Sequence, residues 1–163
     1  MDADELKILK TALLSEVEGE KYYREAASKV QDPEVSRSFL YLAEDELKHQ
    51  MMLRSCLQTL MKDQDEVIDP SIWITAESPR IFTGPNAPHE FREMEISVYH
   101  IAILMEKASI DFYRQAASAT KSKAAKSLYE FLVNWEIGHL DAMEKIYDRL
   151  TEDWWDKQHF SPA

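Results

Sequence analysis

Cysteine is nearly missing from this chain: Cys56 is the only one in 163 residues. A lone thiol excludes an intrachain disulfide framework and any cysteine-based metal site built within the chain. Glycine is almost as scarce, at three, which argues against a loop-rich or disordered chain. With 45 % hydrophobic and 30 % charged residues, the composition is instead that of a soluble, helix-rich protein. No apolar run reaches the roughly 18 residues that a membrane span requires. The opening Met1-Asp2-Ala3-Asp4-Glu5 is acidic where a secretory signal is basic, so a cytoplasmic location is expected. Positive charge is also short, with 19 Lys and Arg against 30 Asp and Glu for a net charge of −11. That balance speaks against nucleic acid or an anionic membrane as a partner.

What the chain does have is helical periodicity. Its length is that of one domain, residues 1–163, with a sizeable core. Leu6, Leu9, Leu13, Glu16, Glu20, Tyr23, Ala27 and Val30 alternate steps of three and four, the spacing of a buried seam on a helix over roughly 2–31. Asp32-Pro33 then supplies a capping side chain and a proline suited to a first helical position. A second helix, 33–62, carries the seam Val35, Phe39, Leu42, Glu46, His49, Leu53, Cys56 and Leu60. So short a turn makes the two helices antiparallel neighbours and brings Glu16 and Glu46 to one height.

Residues 63–90 break the pattern with Pro70, Pro79, Gly84, Pro85 and Pro88, and read as a long crossover. A second hairpin follows, with helices over 91–119 and 122–151 and a Trp-containing tail over 152–163. A gapless shift of 90 residues superposes Glu16 on Glu106, Tyr23 on Tyr113, Ala26-Ala27-Ser28 on Ala116-Ala117-Ser118, Glu46 on Glu136 and His49 on His139. One register recovering all of these marks an internal duplication of a helical hairpin. The expected fold is an all-α four-helix bundle made of two such hairpins.

Six polar residues therefore sit where a bundle wants apolar ones: Glu16, Glu46, His49, Glu106, Glu136 and His139. A single inward Glu would be a hydrogen-bonded core acid. Four uncompensated carboxylates at one height would each cost several kcal/mol or stay protonated. Two divalent cations balance them and turn the liability into a site. The oxygen-rich donor set with two imidazoles suits iron or manganese better than structural zinc. Shared carboxylates point to a dinuclear centre with ions about 3.5–4 Å apart.

The segments Glu16-Val17-Glu18-Gly19-Glu20-Lys21-Tyr22-Tyr23 and Glu106-Lys107-Ala108-Ser109-Ile110-Asp111-Phe112-Tyr113, with the two Glu-x-x-His helices, resemble the rubrerythrin family of the ferritin-like diiron-carboxylate proteins. The resemblance covers the four helices but neither crossover nor tail. It implies a ferritin-like bundle holding two iron ions (manganese or zinc as substitutes), with Glu46 and Glu136 bridging and Glu16, Glu106, His49 and His139 terminal. It implies an enzyme of oxidative-stress defence that reduces hydrogen peroxide, or dioxygen, at a diferrous centre. It also implies a homodimer, and the long crossover would allow exchange of hairpins between chains. Typical rubrerythrins append a rubredoxin domain with paired Cys-x-x-Cys motifs. This chain lacks one, so its electrons would come from an external donor protein such as a rubredoxin. They also carry a further carboxylate three residues after the third-helix Glu, where this chain has Ser109, and Gly19 in the first half. The alternatives are a ferritin-like iron-binding, ferroxidase or storage protein, and a non-catalytic metal-bound scaffold.

Other candidates have plainer readings. Tyr23 and Tyr113 need no function as core aromatics, although their hydroxyls are placed to hydrogen-bond metal ligands. Glu20 is expected to reach solvent or a basic side chain. Trp135 matches Asp45 in the repeat, which reads as an outward position. His89, His100 and His159 are off the seam and expected in solvent. Met51, Met52, Met61 and Met105 read as packing residues.

Overall fold

The computed structural model describes residues 3–62 and 95–157. Four helices account for them: α1 (Ala3–Lys29), α2 (Pro33–Lys62), α3 (Glu95–Ala119) and α4 (Lys123–Lys157). No strand occurs among the described residues. The crossover over 63–90 lies outside them. No described helix is long and apolar enough to cross a membrane.

The two hairpin turns are built alike. Asp32 Oδ1 accepts from the Glu34 and Val35 amides at 2.7 and 3.5 Å, satisfying donors that the first turn of α2 leaves unpaired. Ninety residues later Ser122 Oγ accepts from the Ala125 amide at 3.2 Å, while Thr120 Oγ1 accepts from the Ser122 amide at 3.1 Å. The outgoing helices close with matching bonds, Val30 N to Ala26 O at 3.1 Å and Thr120 N to Ala116 O at 3.0 Å.

The hairpins pack head to tail. Tyr23, Ala26, Val35 and Phe39, near the turn of the first hairpin, join Val98, Tyr99, Ala102 and Met143 from the open end of the second. Leu9, Leu13, Leu53 and Leu57, from the open end of the first, join Tyr113, Ala116, Tyr129 and Leu132 near the turn of the second. Phe39, fully buried, stacks on Tyr99 with ring centroids 4.8 Å apart. Truncating such an aromatic to Ala costs about 3–5 kcal/mol. Glu5 fastens the start of α1 to the opposite turn, accepting from Tyr129 Oη at 3.1 Å and from the Thr120 hydroxyl. Two apolar clusters thus clamp a polar layer between them, and the six seam residues fall in that layer.

The last helix runs past the boundary at 151 that the seam suggested and ends at Lys157. Under the 90-residue shift this stretch falls against residues 61–67, most of them in the expected crossover, and it contains no Pro or Gly. Thr151 is accommodated by donating its hydroxyl to the Tyr147 carbonyl at 2.7 Å. Trp154 and Trp155, assigned to the tail beyond the fourth helix, lie on α4 and pack edge to face at 4.8 Å.

Candidate metal centre

All six seam residues meet in the polar layer, each no more than 6 % exposed. His49 Nδ1 lies 3.0 Å from Glu16 Oε2, 3.1 Å from Glu46 Oε2 and 3.1 Å from Glu136 Oε1. His139 Nδ1 lies 3.0 Å from Glu136 Oε2 and 3.9 Å from Glu106 Oε2. The donor atoms form two overlapping groups, Glu16-Glu46-His49-Glu136 and Glu46-Glu106-Glu136-His139, each with its atoms within 4.8 Å of one another. Glu46 and Glu136 are common to both. The i,i+3 spacing places each Glu and His on one face of its helix, and the hairpin brings Glu16 or Glu106 alongside.

The electrostatics are those of a crowded acidic pocket. Burial, then the nearby Glu16 and Glu136 charges, holds the Glu46 carboxyl well above its ordinary range. Glu106 is likewise raised by burial and by Glu136. Burial pulls His49 down, but hydrogen bonds to Glu136, Glu16 and Glu46 outweigh it and leave the imidazole strongly biased toward the cation. Burial would raise Glu136, yet hydrogen bonds from His139 and His49 hold it far below the usual carboxylate range. Without a cation these shifts favour the protonated forms of Glu46, Glu106 and His49, and cations would replace those protons. Two buried atoms in the layer, Glu106 Oε2 and His49 Nε2, have no hydrogen-bond partner. An unpartnered carboxylate oxygen facing a histidine nitrogen 3.9 Å away is what a missing cation would satisfy. The cluster fits a metal site.

Around the layer the outer contacts cross between hairpins. The Tyr23 hydroxyl donates to Glu106 Oε1, and the Tyr113 hydroxyl donates to Glu16 Oε1. Of the two readings open for these tyrosines, hydrogen bonding to the acids is the one realised. Burial and the facing carboxylates push both phenols well up, so they act as donors and not as phenolates. Glu20 stays outside the cluster, accepting from Arg24 Nε at 2.9 Å and Gln50 Nε2 at 3.0 Å. Ser109 and Gly19 are buried in the wall without adding a carboxylate. His100 is exposed, as expected, while His89 and His159 lie outside the described residues. Met61 and Met105 are buried and pack, but Met51 is 68 % exposed and does not.

One expectation fails. Asp45 and Trp135 do not point outward. Asp45 is 4 % exposed, and its Oδ2 accepts from Trp135 Nε1 at 3.1 Å and sits 3.0 Å from His139 Nε2. Its other oxygen pairs with Lys48. Burial works against that carboxylate, and the bonds from Lys48, His139 and Trp135 hold it below its ordinary range. Trp135 is half-buried, its ring 4.9 Å from that of His49 and nearly perpendicular to it. The signal that finds Asp45 is its spacing, four residues before His49 on one helical face, with Trp135 four before His139.

Among known proteins, a family model described as Rubrerythrin matches residues 7–147. A hypothetical protein from Pyrococcus furiosus shares 24 % identity and a TM-score of 0.69, covering 91 % of this chain and 90 % of its own. A protein from Xanthomonas campestris pv. campestris shares 17 % identity at the same TM-score of 0.69, covering 96 % of this chain and 97 % of its own. These two likenesses show a common fold. A search of curated proteins finds no match.

Proposed function

The chain belongs to the rubrerythrin family, and on that premise we propose that it is a non-haem diiron oxidoreductase reducing hydrogen peroxide, or dioxygen, with electrons from a separate protein donor. The observation that carries the reading is the pair of overlapping buried donor groups that share Glu46 and Glu136. Glu16 and His49 would complete one position, and Glu106 and His139 the other. Iron held there would supply the electrons for reducing the O–O bond, and the donor protein would return them.

The chain's own residues do the rest. Glu46 and Glu136, common to both donor groups, would be the carboxylates shared between the two positions. Tyr23 and Tyr113 hold Glu106 and Glu16 by one carboxylate oxygen each, leaving the other oxygen for a cation. Leu13, Leu53 and Leu132 on one side, with Phe39, Leu42 and Met143 on the other, exclude bulk water from the layer. The working unit would be a cytoplasmic homodimer served by a small rubredoxin-type donor.

Anaerobic loading with Fe(II) followed by peroxide tests the proposal. Oxidation of two irons per peroxide within minutes is expected, with iron binding saturating near two per chain. Ferrous absorption and peroxide that both stay unchanged would refute the redox role. Uptake of many irons per chain into a hollow oligomer would make this a storage protein instead.

A further inference from the structure

We propose that Asp45 makes the two metal positions unequal, so that the position of His139 fills before that of His49. The proposal rests on the dinuclear reading above and deepens it. The four acids and two histidines repeat with a shift of 90 residues, but the residue one turn ahead of each histidine does not: it is Asp45 in the first half and Trp135 in the second. Each of these two reaches the histidine of the opposite half. Asp45 Oδ2 lies 3.0 Å from His139 Nε2, whereas Trp135 sets its ring 4.9 Å from that of His49.

The ring nitrogens fix the consequence. In both histidines Nδ1 is the atom among the carboxylates, so Nδ1 is the atom that would bind a cation. An imidazole bound through Nδ1 carries its proton on Nε2. At His139 that proton goes to Asp45, which orients the ring and makes it a stronger base. At His49 the same nitrogen is buried and has no hydrogen-bond partner. Trp135 enlarges the difference. It takes the place of an acceptor beside His49, and its indole N–H, 3.1 Å from Asp45 Oδ2, helps hold the carboxylate against His139. Lys48 holds the other oxygen. Asp45 is a positioning residue, acting on the metal only through His139.

Outer partners of this kind are worth about 10- to 100-fold in metal affinity, which sets the expected gap. The test is anomalous diffraction from metal-free crystals equilibrated with Mn(II) below one equivalent per chain, alongside calorimetric titration in solution. In the wild type the peak beside His139 should exceed that beside His49 by about tenfold or more. Asp45→Asn, which keeps the shape and loses the charge, should bring the two peaks toward equal height. Trp135→Asp restores the duplicated acid at His49 and should raise occupancy there, a gain that structural damage cannot produce. Equal peaks in the wild type, or a ratio unmoved by both substitutions, would overturn the filling order while leaving the dinuclear centre intact. No manganese at either position would overturn the centre itself.

Discussion

The first half-site surrounds its histidine with carboxylates on one side only, whereas the second offers a carboxylate at each ring nitrogen. His49 Nδ1 touches three acids and its Nε2 none, while His139 has Glu136 at Nδ1 and Asp45 at Nε2. The inner ligands are the same residue types at the same spacing in both halves. The difference between the halves lies in what stands behind the histidines. Donor identity alone does not make two positions equivalent; the layer behind the donors orients them and sets their basicity.

The sharpest way to break the comparison is to neutralise the two shared acids one at a time in chelator. Glu136 is the ionised partner of both histidines, so Glu136→Gln should destabilise the metal-free protein by about 3–5 kcal/mol in denaturant unfolding. Burial and the neighbouring acids bias Glu46 toward its protonated form, so Glu46→Gln should change metal-free stability by no more than about 1 kcal/mol. Equal losses would mean that the two acids share their protons evenly.

A pH series sharpens the same contrast. Glu46 and Glu106 titrate above their ordinary 4.5 in the fold, so their ionisation penalises folding as pH rises past that value. His49 is raised, so its contribution is complete below its ordinary 6.5 and is lost as pH climbs toward its folded value. Glu136 is lowered, so its contribution is present above 4.5 and lost only as pH falls through its folded value. The metal-free protein should be firmest near about pH 5 and weaken toward neutrality, by up to about 1.4 kcal/mol per pH unit for each proton involved. Metal displaces those protons, so the rise in melting temperature on adding Mn(II) should grow with pH. A metal-free melting temperature that climbs from pH 5 to about pH 8 would contradict this assignment of protons.

The smallest effect concerns the tyrosines, where the halves should match. Tyr23→Phe and Tyr113→Phe each leave one buried carboxylate without its donor, at a cost of about 1–2 kcal/mol. Thermal unfolding of the two variants should agree; a clear gap would show that the inequality extends to Glu16 and Glu106.

The seam was legible because duplication turned six polar residues into a pattern. One Glu-x-x-His is an accident of composition, whereas Glu46-His49 and Glu136-His139 in a single register with Glu16 and Glu106 are not. The first turn was equally readable from Asp32-Pro33, and Ser122, in the same register, caps the second the same way. Asp45 was not legible for a physical reason. A seam at coiled-coil spacing is narrow, but a helix held in a four-helix bundle buries a wider stripe, and Asp45 lies on its margin. Pairing it with an indole in the repeat then suggested solvent, because an acid and a tryptophan share no apolar role. What they share is a contact with the opposite histidine. The end of α4 was missed because the 90-residue shift sets residues 153–157 against 63–67, the start of the expected crossover, so they had to be judged on helix-forming tendency alone.

The crossed contacts of Tyr23, Tyr113, Asp45 and Trp135 carry one more consequence. Rotating the first hairpin onto the position of the second would reproduce four acids and two histidines, with a tyrosine behind each outer acid and an aspartate behind each histidine. Two identical hairpins associating as separate molecules would be bound to that symmetry, because any substitution enters both at once. Joining them in one chain removes the constraint. Position 45 can keep its acid while position 135 gives its own up to an indole, and the covalent link becomes the feature that lets a symmetric scaffold set two unequal surroundings behind its two histidines.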